Sequence, residues 1–101
     1  MKFVYAERAR RDIEDIFDRL ASKSARSAQR VEDMIRATCE GLSKFPFAGA
    51  MTSEVNVRRV PLVRYPYTIF YRVDSERKLV EIARVVHSAR VKNLRRIPKA
   101  N

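Results

Sequence analysis

The one imidazole in this sequence belongs to His87, the single histidine. An imidazole titrates between about pH 5 and 8, which suits it to general acid or base work. Before and after it come Arg58, Arg59, Arg64, Arg72, Arg84 and Arg90. Their planar guanidinium forks pair with phosphate or with carboxylate oxygens, so they fit a nucleic-acid backbone or an acidic protein surface. Tyr65, Tyr67 and Tyr71 have faces on which bases could stack. Each of these has a plainer structural use. A histidine ending a strand is often a hydrogen-bonded structural group, tyrosines at alternate strand positions are core, and arginines on edge strands block edge-to-edge aggregation. Cys39, the only thiol, has no evident partner base and reads as a small buried side chain.

The rest of the composition narrows the chemistry. One Cys and one His cannot build a zinc site or an intramolecular disulfide, so no metal and no cofactor is expected. A chain of 101 residues has room for one domain, which hides only about 60 to 65% of its unfolded surface. Large multi-part enzymes are excluded. Lys and Arg number 22 against 12 Asp and Glu, a formal net charge of +10, and the excess is uneven. Residues 1–50 carry net +2 and residues 51–101 net +8. A basic second half favours a polyanion or an acidic protein as partner. Met1 to Arg8 shows no apolar leader, and no apolar run approaches the ~20 residues of a membrane span. A cytoplasmic, thiol-reduced protein with no membrane contact is the expectation.

The elements that must position these side chains change character at the middle of the chain. Phe3 to Tyr5 is long enough for one strand. From Glu7, Ala9, Ile13, Ile16, Phe17 and Leu20 form an apolar stripe at helical spacing, with Arg10, Arg11, Glu14, Asp15 and Asp18 opposite. Ala6 stands where a Ser or Thr cap is usual. Ser24 is placed to cap a second helix with the stripe Ala28, Val31, Ile35, Thr38, Leu42 and Phe45, which Pro46 and Gly49 end. The two make an αα-hairpin.

Three strands follow, over Val55–Leu62, Tyr65–Val73 and Leu79–His87, all rich in β-branched and aromatic residues. Joined by Asp74–Lys78, the last two predict an antiparallel hairpin with Val73 opposite Leu79, Tyr71 opposite Glu81 and Phe70 opposite Ile82. That register gives Tyr67, Ile69, Tyr71, Val73, Leu79, Ala83 and Val85 to the helix-covered core. It leaves Thr68, Phe70, Arg72, Val80, Ile82, Arg84 and Val86 on a mixed apolar and basic face that reads as a contact surface. The fold class is α+β, β-α-α-β-β-β, with the helical hairpin on a mainly antiparallel sheet of three to four strands. Residues 1–90 form one domain, and 91–101, with Lys92, Arg95, Arg96 and Lys99, a basic tail.

This element order, with Phe45-Pro46-Phe47-Ala48-Gly49 after the second helix, Arg64-Tyr65-Pro66-Tyr67-Thr68-Ile69-Phe70-Tyr71-Arg72-Val73, and Val85-Val86-His87-Ser88-Ala89-Arg90, resembles the RelE/ParE superfamily of bacterial type II toxin–antitoxin modules. The resemblance runs from Phe3 to Arg90. It implies a toxic protein kept inactive by an acidic antitoxin, whose disordered segment folds as it binds. It also implies one of two targets, since RelE-like members cut messenger RNA inside the ribosome and ParE-like members poison DNA gyrase.

Cleaving RNA through its own 2′-OH needs a group to activate that hydroxyl, charge to stabilise the phosphate and an acid for the leaving oxygen. RelE-like ribonucleases place an Arg just before the apolar-apolar-Tyr segment, where this chain has Thr68 ahead of Ile69-Phe70-Tyr71. No Tyr follows Tyr71, and His87 is the one candidate catalytic residue. The resemblance therefore points towards a ParE-like inhibitor of gyrase, with a ribosome-dependent endoribonuclease using His87 as the alternative. The residues expected to touch target or antitoxin are Arg58, Arg59, Arg64, Phe70, Arg72, Ile82, Arg84 and Arg90. Val91 stands where many members carry an acid that would orient Arg90.

Overall fold

Helix formation follows the two apolar stripes. In the computed structural model, which describes residues 1–94 and 96–98, α1 runs Glu7–Ala21 and α2 runs Ala25–Lys44. Ala6 gives α1 no side-chain cap, but its N–H donates to the carbonyl of Ile82 at 2.9 Å, which ties the helix start to the sheet. Ser24 caps α2 as expected, its hydroxyl accepting from the Ser27 N–H at 3.1 Å.

Five strands make one sheet in the order β1-β5-β4-β3-β2, with β1 Lys2–Tyr5, β2 Ala50–Met51, β3 Arg58–Pro61, β4 Tyr67–Asp74 and β5 Leu79–His87. Only β1 and β5 pair in parallel; the other three pairings are antiparallel. The mainly antiparallel α+β class holds. The fifth strand arises because Ala50 and Met51 pair with Arg59 and Arg58, a two-residue edge too short to show a period. A 3₁₀ segment, Ser88–Asn93, follows β5. Among the described residues no helix is long and apolar enough to cross a membrane.

The hairpin register differs from the expected one. Asp74 joins β4 and pairs with Leu79, so Val73 faces Val80, Arg72 faces Glu81 and Tyr71 faces Ile82. A shift then falls between Tyr71 and Phe70, which pairs with Arg84 and leaves Ala83 without a partner. A slip of one residue moves every side chain to the other face, and a bulge restores the original parity beyond it. Val80 and Ile82 accordingly lie in the helix-covered core with Tyr67, Ile69, Tyr71, Val73 and Val85, against Ala9, Ile16, Val31, Ile35, Cys39 and Leu42. Leu79 and Ala83 do not share that layer. Ile82 is 0% exposed, so it is a core residue and not a contact residue.

The opposite face of the sheet also carries a small core. Val57, Phe70, Ala83 and Val86 pack with Ile97, and Val91 and Leu94 lie against them. The chain's own C-terminal residues cover the face that the sequence leaves open to a partner. Of the cations assigned to that tail, Arg95 and Lys99 lie outside the described residues.

Candidate functional site

Asp12 stands inside the apolar stripe of α1, three residues after Ala9 and four before Ile16, and is buried. Its carboxylate accepts from Arg84 Nε at 2.7 Å, Arg84 Nη2 at 3.2 Å, the Val85 N–H at 3.0 Å and Arg8 Nε at 3.3 Å. The strand β1 ends at Tyr5, paired with Ile82, so the N–H of Val85 has lost its neighbouring strand. Asp12 supplies the missing acceptor and neutralises Arg84 in the same place. Arg8, Asp12, Arg84, His87 and Arg90 line one small cavity of about 150 Å³.

His87, half-buried, lines this cavity. Its Nδ1 accepts from the Ala89 N–H at 3.1 Å, capping the 3₁₀ segment. Its ring meets Tyr67, its strand partner, edge to face at 5.5 Å. With Nδ1 engaged by the Ala89 N–H, Nε2 is the ring nitrogen left for another partner.

Across the hairpin, Thr68 is buried, and its hydroxyl shares a 2.9 Å hydrogen bond with Ser88. The position that carries a guanidinium in the ribonuclease members is here a short neutral group closed into the fold.

Tyr71 is fully buried, as its strand spacing predicts, yet its hydroxyl holds a loop. It donates to the carbonyl of Pro46 at 2.9 Å and accepts from the Gly49 N–H at 2.8 Å. Burial pushes the phenol above its ordinary pKa, with the Gly49 N–H and the Arg58 charge acting the other way. Any Cβ on Gly49 would meet the Tyr71 hydroxyl at 2.5 Å and the Arg59 carbonyl at 2.8 Å, which is why this position is glycine. Arg58 clasps the same loop from the other side, donating to the carbonyls of Gly49 at 2.9 Å and Phe47 at 3.3 Å. Its guanidinium lies 5.1 Å from the Phe47 ring centroid.

Arg72 donates to the carbonyls of Pro98 at 2.6 Å and Ile97 at 3.1 Å. Glu54 accepts from the Ile97 N–H with both oxygens, at 3.1 and 3.0 Å. Glu81 lies 3.8 Å from Arg72 with Oε1 buried and without a hydrogen-bond partner. Burial raises its pKa, and the Arg72 charge opposes the rise.

The eight expected contact residues therefore divide. Arg58, Arg72 and Arg84 are spent on internal bonds, Phe70 lies under the C-terminal residues, and Ile82 is core. Arg59, Arg64 and Arg90 are exposed, Arg64 on a left-handed backbone with φ 77°. Two features have no counterpart in the sequence expectations. Asp12 is signalled by an acid at an apolar stripe position, and the C-terminal strap by Val91, Leu94 and Ile97 recurring every third residue in a basic run.

Comparison with known proteins agrees with this architecture. The family described as ParE toxin of type II toxin-antitoxin system, parDE, matches residues 3–92. A structure of the chromosomal ParDE toxin–antitoxin system from P. aeruginosa aligns with a TM-score of 0.74 at 22% identity, over 86% of this chain and 95% of that one. The isolated E. coli RelE toxin aligns at 0.64 and 16% identity, over 85% and 82%. The toxin–antitoxin complex RelBE2 from Mycobacterium tuberculosis aligns at 0.59 and 24% identity, over 85% and 95%. Among curated protein sequences none matches.

Proposed function

The chain belongs to the ParE toxin family of type II toxin–antitoxin systems, and we propose that within it the protein inhibits DNA gyrase and is neutralised in the cytoplasm by a cognate acidic antitoxin. One observation carries the choice of target. Thr68, where the ribonuclease branch needs a cation, is neutral, buried and bonded to Ser88, so that position offers a phosphate no charge stabilisation. The antitoxin partner is supported by the net charge of +10 and by similarity to chains from the ParDE and RelBE2 systems. Exposed Arg59, Arg64 and Arg90 are the cations available to an acidic surface.

A second reading has one observation in its favour. His87 shares a cavity with Arg8, Arg84 and Arg90, the ingredients of an acid–base group beside charge, as RNA cleavage requires. A supercoiling assay with purified protein and gyrase separates the two. Inhibition of supercoiling, or accumulation of cleaved DNA, with ribosome-bound messenger RNA intact is the expected result. Cut messenger RNA that disappears in His87→Ala would overturn it in favour of the ribonuclease.

A further inference from the structure

Most of the large apolar side chains that this chain exposes fall in one stretch of its sequence. Of the seven among the described residues, Phe45, Phe47, Met51, Val55 and Val63 fall between positions 45 and 63. Phe45 and Phe47 are 69 and 58% exposed and project as a knob, while Met51 beside them, 74% exposed, lines a pocket with Glu54, Phe70 and Ile97. Exposed aromatic rings on a mobile loop would carry little meaning, but this loop is fastened. Tyr71 holds Pro46 and Gly49 from below, and Arg58 holds Phe47 and Gly49 from the side. A buried hydroxyl, a glycine with no room for a Cβ and an arginine whose Nη1 donates to two loop carbonyls fix the backbone from which two phenylalanines point into water. Orienting rings in advance removes the ordering cost that a binding partner would otherwise meet, and rigid aromatic anchors dominate protein interfaces.

We propose that this loop is the part of the protein that engages its cellular target, and that the target presents an acidic, folded protein surface with an apolar hollow. This rests on the reading of the chain as a toxin. The hollow follows from the shape, since a projecting knob needs a preformed concavity and a flexible peptide docks instead in grooves. The acidity follows from the rim. Lys44, next to Phe45, and Arg59, paired with Ala50, are exposed, and Glu54, the single acid between residues 44 and 64, is occupied by the Ile97 N–H. A second copy of a +10 chain would meet like charge there, and one face of the Phe47 ring is already covered by Arg58, which argues against base stacking.

The test is the doubly substituted Phe45→Ser/Phe47→Ser chain, compared with wild type by induced expression, by titration of the antitoxin that co-purifies with it, and by thermal unfolding. Both rings are exposed, so unfolding should be unaffected. Survival after induction is expected to rise about 100-fold or more, in line with loss of two aromatic anchors, while antitoxin affinity stays within about threefold. Arrest that persists in a folded double variant overturns the proposal. Relief matched by an equal loss of antitoxin binding also overturns it, because the knob would then be the antitoxin's seat. A wild-type chain that arrests nothing overturns the toxin reading and this inference with it.

Discussion

Replacing Asp12 by Ala should be among the most damaging single changes to a charged residue of this protein, because one buried carboxylate meets four donors. Arg84 would lose a 2.7 Å and a 3.2 Å bond, Val85 its 3.0 Å acceptor and Arg8 its 3.3 Å partner. Removing one member of a buried ion pair costs about 3–5 kcal/mol, since the remaining charge stays desolvated and unpaired. The Arg84 side chain keeps 13% exposure and can draw some water, which places the loss at the low end, about 3 kcal/mol. In a domain of this size that corresponds to about 12–24 °C in Tm. Urea unfolding followed by circular dichroism measures it, with an unchanged m-value expected. The double variant Asp12→Leu/Arg84→Met removes both charges and should recover about half of the loss. A cost below about 1 kcal/mol for Asp12→Ala, or a double variant no better than the single one, would refute the assignment of Asp12 as the clasp between α1 and the unpaired end of β5.

Three further outcomes are expected. Tyr71→Phe leaves the Pro46 carbonyl and the buried Gly49 N–H without a partner and should cost about 2 kcal/mol by denaturant titration; Gly49→Ala, which places a methyl against a backbone carbonyl as well as the hydroxyl, should cost at least as much. Glu81 has a raised pKa through burial, so its favourable contribution is complete below the unfolded value of 4.5 and is lost as pH rises through the folded one; Glu81→Gln should therefore stabilise the protein at pH 7 and bring no gain at pH 4. Cys39 and Tyr5 are each pushed up to about 12, mainly by burial, from 9.0 and 10.0, so the stability they contribute is intact below pH 9 and is lost as pH climbs towards 12. Disulfide-exchange labelling of Cys39 at pH 8 should accordingly be about 100-fold slower in the native chain than in urea.

The helical half was legible because period and punctuation agree. The stripes place α1 and α2, Ser24 caps, and Pro46 stops the second helix within one residue of its observed end. Leu79–His87 was legible as a strand to the residue. The register was not, because an alternating pattern looks the same before and after a bulge and cannot announce the residue that has no partner. Arg72 and Arg84 looked free for the same reason that Asp12 went unnoticed: their partners lie 26, 25 and 72 positions away, and charge in a sequence carries no address. Core tyrosines were recognised by spacing, whereas the loop that the Tyr71 hydroxyl holds is a property of its tip and has no sequence period.

The unpartnered Ala83 also fixes the length of its strand. Among the described residues β5 is the only strand with a parallel neighbour on one side and an antiparallel neighbour on the other, and Ala83 divides it into two reading frames. One insertion or deletion between Leu79 and Ile82 would send Val80 and Ile82 out of the helix-side core. The same change between Arg84 and His87 would exchange Val85 with Val86 and carry Arg84 away from Asp12. The Ser75–Lys78 turn joins no such alternation, so it is where changes in length can accumulate, while β5 keeps its nine residues.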